Sequence, residues 1–177
     1  MDSRNGHLLE IFSSWQGEGP YAGPKQVFVR LSGCHLRCVY CDTPESWERA
    51  GAWSMGGQTR PNPVTVAETL DAIRSLGPHP SVSLTGGEPV IQTEFVREVA
   101  LGVREVGMKS YLDTSGTLSD RLAVCADAID IFAFDIKLPS CRGVRSDWDD
   151  VARCLGLARG RDAFVKIVVM QDTSEVD

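Results

Sequence analysis

Short apolar runs alternate with amphipathic stretches along most of the chain, and each apolar run leads into polar or glycine-containing sequence. Runs of this length are typical of buried strands, and the stretches between them have the spacing of helices. The predicted strands are residues 26–31, 81–84, 110–113, 131–136 and 164–170. The predicted helices are residues 65–76, 94–106, 119–126 and 147–157. This alternation predicts an α/β fold with a mainly parallel sheet, built as a single domain over residues 1–177.

Turn chemistry marks the ends of the first predicted helix. Thr65 is placed to cap its N-terminus, Glu68 completes a capping box, and Gly77 and Pro78 follow its last residue. The segment 50–63 is rich in glycine and proline and has no hydrophobic period, so we predict a loop or flap there.

The composition is that of a globular protein, with 42% hydrophobic and 24% charged residues. The net charge of −6, from 18 basic and 24 acidic residues, argues against the basic face that nucleic acid requires. The first residues lack the pattern of a secretion signal, and no apolar run reaches the ~18 residues that span a membrane. We therefore expect a cytoplasmic protein that binds a small molecule or another protein, with no nucleic-acid or membrane partner.

Three of the six cysteines lie close together in the block CHLRCVYC, at Cys34, Cys38 and Cys41. In a reducing compartment such closely spaced thiols are metal ligands more often than disulfides. Three thiolates leave one metal position open for a small molecule, and their spacing fits three corners of an iron–sulfur cluster. The alternative is a zinc knuckle completed by His35 or by a distant cysteine. The remaining cysteines have no ligand spacing and are predicted to be buried or incidental thiols, namely Cys125, Cys141 and Cys154.

Unusual polar sequence follows four of the five predicted strands. The cysteine block follows the first strand, TGGEP the second, DTSG the third and DIKLPS the fourth. Ligands of parallel α/β sheets bind at the carboxyl ends of the strands. We therefore expect one site at one rim of a sheet or barrel.

The spacing CxxxCxxC, with Tyr40 directly before the last cysteine, and the later motif TGGEP resemble the radical S-adenosylmethionine (radical SAM) superfamily. The resemblance implies a partial (β/α) barrel and a [4Fe-4S] cluster held by the three cysteines. It also implies that S-adenosylmethionine chelates the open iron and is cleaved to a 5′-deoxyadenosyl radical. The GGE motif would then bind the amino group of S-adenosylmethionine, a charge-assisted contact for Glu88.

The segment EIFSSWQGEGPYAG at residues 10–23, followed by QVFVRLSGC, CDT, TGGEP, DTSG and FDIKLPS, resembles the 7-carboxy-7-deazaguanine synthase family. The likeness runs from about residue 8 to residue 170. It implies a lyase that converts 6-carboxy-5,6,7,8-tetrahydropterin to 7-carboxy-7-deazaguanine and ammonia by radical ring contraction, on the route to queuosine and other 7-deazapurines. It further implies a reductase or flavodoxin-type electron donor and a homodimer.

The resemblance also implies roles for individual residues. The implied substrate contacts are Trp15, Gln16, Gly17, Glu18, Arg30 and Thr85. The implied contacts to S-adenosylmethionine are Tyr40, Cys41, Asp42, Gly87, Glu88, Ser115, Asp135, Ile136 and Lys137. Thr43 is implied to bind Mg²⁺, which prefers oxygen ligands.

Three of these roles have plain structural alternatives. Arg30 lies on a strand, where alternate residues share a face, so it either points into the barrel to grip the substrate carboxylate or faces solvent. Ser115 is either a ligand contact or a turn-forming serine. Thr43 is either a magnesium ligand or a helix cap.

The strand count gives one departure from the superfamily, whose partial barrels usually have six strands, whereas five are predicted here. A closing C-terminal strand is therefore expected to be absent, either because the sequence is truncated at that end or because another segment replaces the strand. Two other functions remain open at this point, a glycyl-radical activase of the same superfamily and a non-catalytic zinc-binding interaction module. The motifs WQGEGPYAG and CDT favour the synthase over the activase.

Overall fold

A computed structural model describes residues 5–139, 148–171 and 173 of the chain. Its strands are β1 (Asn5–Gly6), β2 (Leu8–Trp15), β3 (Lys25–Leu31), β4 (Ala52–Met55), β5 (Gln58–Pro61), β6 (Val64–Thr65), β7 (Ser81–Gly86), β8 (Lys109–Thr114), β9 (Ile131–Ile136) and β10 (Asp162–Ile167). Its α-helices are α1 (Val66–Ser75), α2 (Thr93–Glu105), α3 (Ser119–Cys125) and α4 (Trp148–Leu157). Single 3₁₀ turns lie at Gly19–Tyr21, Pro44–Ser46, Pro89–Gln92 and Ala126–Ala128.

Eight strands form one sheet in the order β10-β9-β8-β7-β3-β2-β4-β5. The five strands β3, β7, β8, β9 and β10 are parallel to one another, and they are the five strands that the sequence predicts. Helices α2, α3 and α4 each connect two successive parallel strands. The mainly parallel α/β fold is thus confirmed, and the strands of the described residues form an open sheet with β10 and β5 at its edges.

The predicted helices are confirmed with small shifts at their ends. The capping box before α1 is present, because Glu68 N–H donates to Thr65 Oγ1 at 3.2 Å and Thr65 N–H donates to Glu68 Oε2 at 2.8 Å. The predicted fifth strand ends earlier, at Ile167 instead of Met170. The predicted start of the last helix, Asp147, lies outside the described residues.

The segment 50–63 corrects the sequence prediction, because it is not a loop. It forms the hairpin of β4 and β5, joined by Gly56 and Gly57 at φ 55° and 79°. A two-residue turn with both φ values positive matches the twist of paired strands, and glycine adopts it without strain. Trp53 anchors the hairpin and is 2% exposed.

Strand β2 is a further element that the sequence analysis did not identify. It pairs antiparallel with β3, and its first part contacts β4. Residues 15–18, which lie at and after the end of β2, are therefore held beside β3, the strand at the edge of the parallel strands.

Period-2 alternation divides the side chains of β3 between two environments. Val27, Val29 and Leu31 are at most 1% exposed and belong to the core shared with the helices. Phe28 and Arg30 point to the opposite face, which lines a cavity. The alternation therefore confirms that Arg30 does not face bulk solvent.

The incidental cysteines also fall where expected, with Cys125 and Cys154 fully buried in the core. Cys141 lies outside the described residues. Among the described residues, no helix is long and apolar enough to cross a membrane.

Two helical glycines give a test of the packing. A Cβ on Gly156, exposed in α4, would meet no atom within 4 Å, whereas a Cβ on Gly102 in α2 would lie 2.4 Å from Leu70 Cδ1. We expect Gly156→Ala to raise the free energy of unfolding by about 0.5–1 kcal/mol, because alanine is the better helix former. Gly102→Ala should raise the free energy of unfolding by less than Gly156→Ala does, or should lower it, since Leu70 must move to make room for the new methyl group. Urea unfolding of both variants checks this, and an equal gain at the two positions would contradict the packing of α1 on α2.

Candidate active site

A cavity of ≈ 500 Å³ lies at the carboxyl ends of the parallel strands. All four polar strand-end segments expected from the sequence contribute to its wall, together with the segment that follows β2. Of the predicted site residues, those that line it are Trp15, Gln16, Gly17, Glu18, Arg30, Cys34, Cys38, Tyr40, Cys41, Asp42, Thr43, Thr85, Gly87, Glu88, Ser115, Asp135 and Lys137. Ile136 does not line it, because its side chain points the other way into the core and is 4% exposed.

The three clustered cysteines are free thiols on the loop after β3, and all three border the cavity. Cys34 Sγ accepts a hydrogen bond from Leu36 N–H at 3.4 Å. Burial raises the pKa of Cys34 to about 11, and nearby Cys38 and Cys41 add to the rise. The thiols are thus neighbours that share one wall.

The cysteines are not arranged around a single ion. Within the described part of the chain, no group of three or more His, Cys, Asp or Glu is placed to hold one metal. His35, the proposed fourth zinc ligand, contacts the Thr117 hydroxyl at 2.9 Å instead.

The backbone of the TGGEP segment packs directly on the exit of β3. A Cβ on Gly86 would lie 2.1 Å from Leu31 O, and a Cβ on Gly87 would lie 2.3 Å from Gly33 O. Gly87 N–H donates to Leu31 O at 3.0 Å, and Glu88 N–H donates to Gly33 O at 2.9 Å. Only glycine allows this approach, which places the TGGEP segment against the cysteine loop.

Glu88 is buried, with 1% exposure, and the protein itself supplies its donors. Its Oε1 accepts from Thr114 Oγ1 at 2.6 Å and from Val90 N–H at 3.4 Å. Its Oε2 accepts from the N–H and the hydroxyl of Ser115, at 2.8 and 2.5 Å. Four bonds match the acceptor capacity of a carboxylate. A ligand ammonium would therefore have to share or displace one of these donors, and Ser115 serves to orient the carboxylate.

The segment after β2 forms one edge of the cavity and is shaped by Gln16, which is 5% exposed. Gln16 Nε2 donates to Gln26 Oε1 at 3.0 Å, while Gln16 Oε1 accepts from Glu18 N–H at 3.0 Å. Trp15 is 66% exposed at the mouth, with Lys25 Nζ 5.3 Å from the centroid of its ring. The side chain of Gln16 thus builds the loop, and Glu18 and Trp15 remain accessible.

Lys166 is a cavity residue that the sequence analysis missed. Its ammonium donates to Glu18 Oε2 at 2.6 Å and to Asp113 Oδ1 and Oδ2 at 3.1 and 3.2 Å, and it lies 3.7 Å from Asp135 Oδ2. One lysine therefore joins β10 to three acidic residues. The available signal was a single charged residue within the apolar run FVKIVV.

The acidic partners of Lys166 shape the charge of this wall. Burial raises the pKa of Asp113 to about 6, although the charge and hydrogen bond of Lys166 oppose the rise. Burial would lower the pKa of Lys166, but Asp113, Glu18 and Asp135 outweigh it and raise that pKa. The lysine thus stays charged, and Asp113 titrates nearer to neutrality than an ordinary aspartate.

A second pair lies beside the cysteine loop, where Lys137 Nζ contacts Asp135 Oδ2 at 2.8 Å. The same ammonium lies 5.1 Å from the centroid of the Tyr40 ring. Burial raises the pKa of Tyr40 to about 12. Gly86, Asp113 and Thr114 also line the cavity and lie in the expected TGGEP and DTSG segments, whereas the sequence analysis did not identify Phe28, Leu36, Ser46, Trp47 and Val168.

Thr43 precedes the 3₁₀ turn Pro44–Ser46, but its side chain makes no capping hydrogen bond. Its hydroxyl instead donates to Asp42 Oδ1 at 3.1 Å. The helix-cap alternative therefore does not describe Thr43, and both Asp42 and Thr43 line the cavity directly after the last cysteine.

Comparisons with known proteins agree with this geometry. The family model described as the radical SAM superfamily matches residues 28–173. A 7-carboxy-7-deazaguanine synthase of Geobacter sulfurreducens is 36% identical over 99% of this chain and 74% of its own length. The synthase of Methanopyrus kandleri is 35% identical over 94% of this chain and 70% of its own. The crystal structure of QueE from Escherichia coli has the same fold, with a TM-score of 0.60 and 20% identity over 95% of this chain and 85% of that one.

The Lys166 network predicts a pH-dependent change in stability for Lys166→Met. Because Lys166 lowers the pKa of Asp113 from a still higher value, its removal raises that pKa above about 6. Below pH 5 Asp113 is protonated in both proteins, so Lys166→Met should lower the free energy of unfolding least in this pH range. As the pH rises through 6, ionised Asp113 has its partner only in the wild type, and the destabilisation should grow by about 1–3 kcal/mol.

Urea unfolding at pH 5 and pH 8 measures this difference, and NMR titration of Asp113 locates its pKa. Lys109→Met is the matched control, because Lys109 Nζ lies 3.9 Å from Asp162 on an exposed surface. It should change the free energy of unfolding by less than about 1 kcal/mol at either pH. A loss for Lys166→Met that does not depend on pH would contradict the coupling.

Proposed function

The chain belongs to the radical SAM superfamily and, within it, to the 7-carboxy-7-deazaguanine synthase family, and from this we propose its reaction and the roles of its residues. The protein converts 6-carboxy-5,6,7,8-tetrahydropterin to 7-carboxy-7-deazaguanine and ammonia by radical ring contraction in 7-deazapurine biosynthesis. One observation carries the proposal: the cysteine loop, the TGGEP segment, residues 15–18 and Arg30 all border the same cavity. An interaction module that used zinc only to hold its fold would not require this convergence.

The cavity is suited to a [4Fe-4S] cluster and S-adenosylmethionine. Cys34, Cys38 and Cys41 would hold three irons of the cluster, and the fourth iron would bind S-adenosylmethionine. When bound, this pair supplies the radical that removes a hydrogen atom from the substrate. The chain positions the pair through the backbone of Gly87 and the fixed carboxylate of Glu88, which lie against the cysteine loop.

The cosubstrate would also be held by the cysteine-loop residues Tyr40, Cys41 and Asp42, by Ser115, and by the strand-end residues Asp135 and Lys137. All of these border the cavity next to the thiols. The ion pair between Asp135 and Lys137 places one charge of each sign at this wall. Such a pair suits a ligand that carries both an ammonium and a carboxylate.

The substrate would lie between the loop after β2 and the thiols. The polar edge of a pterin requires hydrogen-bonding groups when it is buried, and residues 16–18 and Thr85 supply them. The carboxylate of Glu18 is oriented by Lys166 at 2.6 Å. Phe28 gives an apolar surface on the same wall, and Arg30 offers its guanidinium to the substrate carboxylate.

Thr43 would bind Mg²⁺ through its hydroxyl. The support is its place in the cavity wall and the neighbouring carboxylate oxygen of Asp42. Mg²⁺ takes oxygen ligands and usually keeps waters or substrate oxygens, so a threonine and a substrate carboxylate form a suitable set.

The wider assembly completes the proposal. The chain acts as a single radical SAM domain on a small molecule, receives electrons from a reductase or flavodoxin-type donor, and functions as a homodimer. The small-molecule partner is supported by a cavity of ≈ 500 Å³ that is lined by convergent polar groups.

Anaerobic reconstitution with iron and sulfide tests the core of this proposal. We expect a brown protein that forms 7-carboxy-7-deazaguanine from 6-carboxytetrahydropterin when S-adenosylmethionine and a reductant are present. Cys38→Ser should lose at least about 1,000-fold in turnover, because one iron ligand is missing, whereas Cys125→Ser, at a buried core thiol, should keep the cluster. A colourless wild-type protein that contains zinc would contradict the assignment.

The magnesium role predicts a conditional effect of Thr43→Ala. Adding Mg²⁺ should raise kcat/KM of the wild type, and the variant should lose most of this gain, about 10-fold, while its rate without Mg²⁺ stays near that of the wild type. Steady-state assays with and without Mg²⁺ measure both rates. An equal stimulation of the two proteins would show that the ion binds elsewhere.

A further inference from the structure

Glu10 reaches the cavity face through an irregularity in β2. Leu8 pairs with Leu31 and Glu10 pairs with Arg30, so a two-residue step on β2 faces a one-residue step on β3. In a regular strand Leu8 and Glu10 would share a face. Here Leu8 and Ile11 are both buried in the core, and Glu10 lies instead beside Arg30. Bulges of this kind re-aim side chains near active sites.

Glu10 contacts one defined atom of Arg30. Arg30 Nε donates to Glu10 Oε1 at 2.9 Å, and the two side chains are 21% and 40% exposed. Among the described residues, no other hydrogen bond to the Arg30 guanidinium is found. The two terminal nitrogens, which carry four of the five N–H donors, are therefore available to a ligand in the cavity that Arg30 lines.

Aromatic rings restrict the same guanidinium from a second direction. Arg30 Cζ lies 5.7 Å from the centroid of the Phe12 ring. Phe12 stacks on Phe28 with centroids 5.2 Å apart and an interplanar angle of 10°. Phe28 lines the cavity. The guanidinium is thus held at its Nε edge by Glu10 and against one face by Phe12.

We propose that Glu10 is a positioning residue, which fixes Arg30 so that its two terminal nitrogens receive the substrate carboxylate end-on. The inference rests on the proposed function, because it assumes a carboxylated pterin in the cavity. Arginine binds carboxylates through two parallel N–H bonds, either at the Nε edge or between the terminal nitrogens. Glu10 occupies the first edge, so the substrate takes the second. Glu10 thereby selects for the substrate's carboxylate without touching it.

The test measures carboxylate discrimination in the reconstituted holoenzyme, with S-adenosylmethionine bound and no reductant, so that nothing turns over. Equilibrium dialysis gives Kd for 6-carboxypterin and for pterin, which lacks the carboxylate. In Glu10→Ala, the Kd for pterin divided by the Kd for 6-carboxypterin should fall about 10-fold, because the guanidinium of Arg30 loses its fixed direction. Glu10→Gln keeps an acceptor oxygen but not the charge, so the same ratio should fall only about threefold in this variant.

Asp127→Asn is the matched control, because Asp127 also holds an arginine, Arg97, at 2.7 Å, but on the outer surface. It should leave both Kd values unchanged. Equal weakening of both ligands in Glu10→Ala and Glu10→Gln would indicate a purely structural role for β2 and overturn the inference. An unchanged ratio in both variants would overturn it too.

Two further results separate the inference from the proposed function. If the wild-type enzyme shows no preference for 6-carboxypterin over pterin, and if the reduced enzyme forms no 7-carboxy-7-deazaguanine from 6-carboxytetrahydropterin, the proposed function and the inference are both wrong. If the wild-type enzyme shows the preference and forms the product, but substitution of Glu10 does not change the preference, only the inference is wrong. In turnover, Glu10→Ala should raise KM more than it lowers kcat, and it should add little to Arg30→Lys, because the two residues act as a unit.

Discussion

The end of β7 passes so close to the exit of β3 that no side chain fits between the two backbones. Gly86 and Gly87 allow this contact, which is fixed by hydrogen bonds from Gly87 N–H to Leu31 O and from Glu88 N–H to Gly33 O. Gly33 and Cys34 in turn donate to the carbonyls of Ser46 and Trp47. The cysteine loop is therefore fastened at both ends by main-chain bonds, and its thiols face the strand ends that complete the cavity. Every role assigned to the cavity requires this approach.

The parts of the structure that follow a local rule were predictable from the sequence. The five parallel strands are short apolar runs, α1 has a complete capping box, and the alternation of β3 separates Arg30 from the core residues Val29 and Leu31, although the sequence left open whether its face meets a cavity or solvent. The hairpin of β4 and β5 was not predicted, because a glycine-rich segment without a hydrophobic period is read as a loop. Its Gly56-Gly57 turn was the signal that mattered. Short strands of this kind are stabilised by their partners more than by their own residues.

The contacts made between distant segments could not be read from spacing. The sequence predicted that Glu88 contacts a ligand. The structure shows that the oxygens of Glu88 already accept hydrogen bonds from Thr114 and Ser115, because β7 and β8 are neighbours in the sheet. Lys166 was read as part of an apolar strand, although its register places it beside Asp135. The bulge that turns Glu10 toward Arg30 also depends on pairing. In each case the partner is decided by which strands lie side by side.

The ion pair between Glu18 and Lys166 joins residues that are 148 positions apart in the chain. During synthesis at about 5–20 residues per second, roughly 7 to 30 s separate the emergence of the two side chains. The thiols at residues 34–41 appear early in that interval, while the wall formed by β10 does not yet exist. The ion pair between Glu18 and Lys166, and the cavity wall that β10 contributes, are therefore completed only after the cysteine loop and the other strand ends have been synthesised.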